Sequence, residues 1–116
     1  MSRVEKHNDR FAIAFGVDHV TSSYVQVWRQ PMDKQEQPLI VIDNQGTRYS
    51  RLAAERMMPP GLVDRAAGFL RSVEHRFARA RARGVPYPNL DAETAAALFE
   101  LFGFPDMLRE VREAFD

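Results

Sequence analysis

Apolar and polar positions follow two different periods along this chain. Between residues 11 and 49 the period is two: Phe11, Ile13, Phe15 and Val17 fall on one side of an extended segment, and Ala12, Ala14 and Gly16 on the other. Asp18-His19 and Thr21-Ser22-Ser23 supply the short polar residues of a turn. Tyr24 to Trp28 is rich in β-branched and aromatic residues and reads as the returning strand. After a polar loop over 31–37, Leu39 to Ile42 reads as a short strand. Asp43-Asn44-Gln45-Gly46 has turn chemistry, and Thr47 to Tyr49 forms a fourth, short edge strand. The pattern predicts an antiparallel meander of three or four strands. Residues 1–10, polar throughout except Met1 and Val4, read as a leader, with one domain over 11–116.

From residue 50 the period changes to that of a helix. Ser50 is an N-cap for a short helix over Arg51 to Met57, stopped by Pro59-Pro60. A long helix follows from Leu62 to Arg83, its stripe made of Leu62, Ala66, Phe69, Leu70, Val73, Phe77 and Ala80, with Gly84 as its stop. Val85-Pro86-Tyr87-Pro88 is a stiff connector. Asp91 caps a helix over Ala92 to Phe102, and Pro105-Asp106 open a last helix ending near Phe115.

Strands first and helices after predict an α+β fold with about four helices packed on the sheet. Both sides of the first long strand are apolar, however, and about 50 helical residues cover one face of a small sheet more readily than two. A homodimer through the uncovered face follows as an expectation.

Composition bounds the function classes. One domain is what 116 residues allow. No apolar run reaches the roughly 18 residues of a membrane span, and the N-terminal segment has no apolar core of a secretory signal. The absence of cysteine excludes disulfides and thiolate metal sites and fits a cytoplasmic protein. Fourteen arginines against two lysines point to a GC-rich bacterial or phage coding sequence, and so to an accessory protein of a mobile element.

The net charge is zero, but it is unevenly placed. Residues 48–83 carry nine basic and three acidic side chains, and residues 84–116 two basic and seven acidic. On the long helix Arg65, Arg76, Arg79 and Arg83 fall within roughly a 60° sector, a row able to meet phosphates or an acidic protein partner. The favoured expectation is that the basic helix lies beside the chain's own acidic C-terminal hairpin or simply faces water. No helix-turn-helix or other nucleic-acid motif accompanies the row, so nucleic acid is the less favoured partner.

Other chemistry is sparse. Phe11, Phe15, Tyr24 and Trp28 could form a stacking platform, with packing the stronger expectation. His7, His19 and His75 have no metal-ligand spacing, and no cofactor or metal is expected. Asp18, His19 and the hydroxyls of residues 21–23 have the residue types of nucleophilic catalysis, and Asp43 is an isolated carboxylate; turn formation explains each. No phosphate loop, nucleophile elbow or paired-carboxylate motif supports an enzyme. The C-terminal segment crowds Leu98, Phe99, Leu101, Phe102, Phe104, Met107, Leu108, Val111 and Phe115 into 18 residues. A groove between sheet and helices lined by Trp28, Phe99, Phe102 and Met107 would suit a small apolar ligand. The leading expectation is a non-enzymatic binding or regulatory protein acting through protein–protein contacts. An apolar-ligand binder and a nucleic-acid binder stand as alternatives.

Overall fold

A computed structural model describes residues 3–30 and 37–116, so most of the loop expected over 31–37 lies outside the described residues. The fold is α+β: a five-stranded antiparallel sheet followed by four helices. The strands are β1 (Arg3–His7), β2 (Phe11–Asp18), β3 (Ser22–Arg29), β4 (Ile40–Asp43) and β5 (Gly46–Tyr49), paired in sequence order. The helices are α1 (Arg51–Met57), α2 (Pro60–Ala82), α3 (Ala92–Leu101) and α4 (Leu108–Phe115).

Register decides which residues share a face. Ile13 lies opposite Val27, Phe15 opposite Val25, and Val25 opposite Ile42. These residues form one buried cluster with Leu62, Val73 and Phe77 of α2, Leu98 and Phe99 of α3 and Val111 of α4. Phe11 packs edge-on to Phe102 with ring centroids 5.0 Å apart, and Phe15 lies against Phe99 at 5.3 Å. The helices therefore cover one face of the sheet. On the other face Ala12, Ala14 and Trp28 form a separate small cluster.

Three local outcomes differ from the sequence expectations. Residues 3–7 are the edge strand β1 rather than part of a leader; in Arg3-Val4-Glu5-Lys6-His7 only Val4 packs on the core, so the period of two carries almost no hydrophobic signal. The last helix begins at Leu108 and not at Pro105, because Asp106 takes φ of 59°, a left-handed conformation no α-helix accommodates. Phe11 and Phe15 do not share a platform with Tyr24 and Trp28: Tyr24 lies opposite Gly16 and Trp28 opposite Ala12, which puts both on the other face.

Two joints fix helices to the sheet. The Asn8 carboxamide oxygen accepts from the Arg10 and Phe11 amides at 2.9 and 2.8 Å, closing the β1–β2 turn, while its Nδ2 donates to the Phe102 carbonyl at 2.9 Å. The buried Ser23 hydroxyl donates to the Leu90 carbonyl at 2.7 Å, holding the α2–α3 connector at the start of β3. Asp91 caps α3 as expected, accepting from the Thr94 amide at 3.0 Å.

Candidate functional site

All four helices lie on one side of the sheet, so the helix-free face is where surface chemistry gathers. Strand alternation sends Arg3, Glu5 and His7 of β1, Tyr24, Gln26 and Trp28 of β3, and Val41 and Arg48 of β4 and β5 to this face. Between the first two rows run Ala12, Ala14 and Gly16 of β2, all buried. Their smallness leaves room for the Trp28 ring, which clusters with Ala12 and Ala14.

Arg3 closes the arrangement. Its guanidinium carbon sits 5.7 Å from the Trp28 ring centroid and 6.0 Å from that of Tyr24, within cation–π range. Its nitrogens donate to Glu5 at 3.0 Å, to Gln26 Oε1 at 3.2 Å and to the Tyr24 hydroxyl at 3.4 Å. Burial works to lower the Arg3 pKa, but the hydrogen bonds to Tyr24 and Glu5 outweigh it and raise it above its ordinary value. The apolar residues of the second face are thus partly sheltered by side chains of the same chain. The Trp28 indole N–H is buried with no hydrogen-bond partner among the described residues. Beside this stack lies a shallow hollow of about 370 Å³ lined by Arg3, Asp18, Thr21, Tyr24, Gln26, Val41 and Arg48, among others.

The groove expected from Trp28, Phe99, Phe102 and Met107 is not assembled. Trp28 lies on the helix-free face, whereas Phe99, Phe102 and Met107 are buried in the core on the opposite face. The arginine row is also not one site. Arg65 on α2 and Arg83 just past its end are 18 residues apart, about 27 Å along the axis. Arg76 donates to Thr94 Oγ1 at 3.0 Å and stands 3.8 Å from Asp91, the one ion pair among the described residues that joins the basic and acidic blocks. Arg79 and Arg83 are exposed, and neither has a carboxylate partner among the described residues. Arg65 lines a hollow at the far end of the helix.

The polar turn residues have structural partners. Asp18 accepts from the Val20 amide at 2.7 Å and the Thr21 amide at 3.3 Å, and these bonds hold its carboxyl below the ordinary value. Asp43 caps the Gln45 amide at 2.8 Å and pairs with Arg48. At Asp91, burial acts to raise the carboxyl pKa, but the Thr94 hydroxyl and amide together outweigh it and hold the carboxyl low. Arg112, donating at 2.6 Å, does the same for Glu93. Among the described residues, no group of three or more His, Asp or Glu side chains could hold a metal ion. Among the described residues, no helix is long and apolar enough to cross a membrane.

Sequence reasoning placed Trp28 in the wrong company because the face it occupies depends on register across a turn. The signal that could have found the Arg3–Tyr24–Trp28 stack is the row of small residues opposite the aromatics, with Ala12 facing Trp28 and Gly16 facing Tyr24. Arg3 itself had no signal beyond its place in a polar segment. No protein-family model, curated protein or solved structure matches this chain.

Proposed function

We propose that this chain is a non-enzymatic binding protein that works through the helix-free face of its sheet, and that the occupant of that face is a second copy. The observation that carries the reading is the Arg3–Tyr24–Trp28 stack, with Arg3 half-exposed above the rings. Arginine, tyrosine and tryptophan are the side chains that most often dominate interface energetics.

Two further features favour a copy of the same chain over an acidic partner. The face carries both signs, with Arg3 and Arg48 beside Glu5 and Asp18, and an isologous two-fold contact requires a self-complementary surface. The strands of the face span roughly 450 Å², which with the bordering side chains and turns approaches the about 800 Å² each partner contributes to a standard interface. A bacterial, cytoplasmic setting belongs to the same reading; the lack of cysteine and the excess of arginine over lysine support it.

Light scattering across a concentration series tests the reading. The wild type is expected at twice the 13.3 kDa of the chain. Val41→Lys, a change at a half-buried position on the helix-free face, is expected to give single-chain mass with an unchanged circular dichroism spectrum. A wild type that stays at single-chain mass overturns the proposal.

A further inference from the structure

At the opposite end of the molecule, the β1–β2 turn, the start of α2 and the end of α3 surround a hollow of about 530 Å³. A second hollow of about 390 Å³ adjoins it and shares Asp9, Arg10, Phe11 and Pro59 with the first. The first has the size of a small-molecule site. Arg10 and Arg65 line it, and Arg29 lines the second.

None of these three arginines has a carboxylate partner among the described residues. By contrast Arg3, Arg48, Arg51, Arg76, Arg109 and Arg112 are each in an ion pair. Asp9 also lines both hollows, but it forms no ion pair with these arginines, so among the described residues the lining carries three positive charges against one negative. The lining continues inward to Phe11, Leu62 and Phe102, the outer edge of the core. The wall opposite α2 is held in place: Asn8 bonds the Phe102 carbonyl, and Gly103 at φ of 87° brings the backbone so close that an added Cβ would lie 3.0 Å from Asn8 Nδ2. The site is therefore a braced concavity with cationic rims and an apolar floor.

We infer that this hollow binds a small organic anion, its phosphate or carboxylate group between Arg10 and Arg65 and its apolar part on Phe11, Leu62 and Phe102. Guanidinium groups recognise both kinds of oxyanion with paired donors. The apolar floor discriminates against a bare inorganic ion, which has nothing to place there. This site is separate from the sheet face and does not depend on dimer formation.

Gly61 makes the inference testable without disturbing the fold. It lines the hollow, and a Cβ built on it meets nothing within 4 Å, so a larger side chain there projects into the open space. The experiment is a titration of the labelled full chain with phenyl phosphate, benzoate and inorganic phosphate, followed by amide chemical shifts. Saturable shifts confined to the amides of Arg10, Phe11, Gly61, Leu62, Arg65 and Gly103 are expected with at least one organic probe, and the stronger of the two identifies the preferred head group. Arg65→Ala and Arg10→Ala are each expected to weaken that binding about tenfold or more. Gly61→Phe is expected to abolish it while leaving the thermal midpoint unchanged or higher. Three results overturn the inference: no saturable shifts with either organic probe, equal binding of inorganic phosphate, or wild-type affinity in Gly61→Phe.

Discussion

Glu74 Oε1 accepts hydrogen bonds from both the amide and the hydroxyl of Thr47, at 2.6 and 2.7 Å. Thr47 lies on β5, the edge of the sheet, and Glu74 on the long helix α2. One carboxylate thus satisfies an outward-facing strand amide and ties the edge of the sheet to the helix that covers it. Hydrogen bonds to charged groups contribute about 1.5–3 kcal/mol. Glu74→Ala is accordingly expected to lower the urea unfolding free energy by about 2 kcal/mol, with Glu74→Gln recovering part of it.

Gly46 is coupled to the same carboxylate. Its φ is 119°, and an added Cβ would lie 2.9 Å from Glu74 Oε1. Gly46→Ala combines backbone strain with a displaced anchor, so a loss of about 1–3 kcal/mol is expected in urea unfolding. In a Glu74→Ala background the same substitution should cost less, because the steric part disappears. A double-mutant cycle reads that difference.

Asp91 sets a pH dependence. Its carboxyl is held below the ordinary 3.8, so the native state binds this proton less readily than the unfolded chain does. The stability it contributes is present above the ordinary carboxylate range and is lost as pH falls through the lowered native value. Asp91→Asn keeps a capping side chain and removes the titration. Its deficit against wild type should therefore be largest near neutrality and vanish in acid, as thermal midpoints across a pH series will show. Asp91→Ala also removes the cap and is expected to cost about 1 kcal/mol near neutrality.

Trp28 separates ring packing from the orphan donor. The indole N–H is buried without a partner among the described residues, and such a donor costs about 1–3 kcal/mol. Trp28→Phe removes that cost while losing some ring volume, so the two effects offset and stability should change by less than about 1 kcal/mol. Trp28→Ala leaves Ala12 and Ala14 uncovered and is expected to cost about 3 kcal/mol or more. Guanidinium denaturation of the two variants measures both.

Much of the architecture was legible in residue spacing. The alternation from Phe11 to Val17 and the stripe from Leu62 to Phe77 are strong signals because each buries a continuous face. Gly84, with φ of 97°, ends α2 where a left-handed residue was needed. What escaped the sequence has a common cause: it depends on partners distant along the chain. β1 is a strand because β2 offers it a ladder, not because of its own pattern. Trp28 joins Arg3 and not Phe99 because a three-residue turn over 19–21 sets the register of β2 and β3. The arginines of α2 share a helical face, yet Arg76 finds Thr94 and Asp91 while Arg65 lines a hollow with the β1–β2 turn. A helical face is a direction, whereas a site also needs residues close together along the axis.

If two copies meet through the helix-free face, intermolecular nuclear Overhauser effects in a mixed-labelled sample will read the contact. Cross-peaks are expected between differently labelled copies at the Val41 methyls and the Tyr24 ring, both half-buried on that face in a single chain. Cross-peaks only within one copy, or between copies only at the helices, would contradict it.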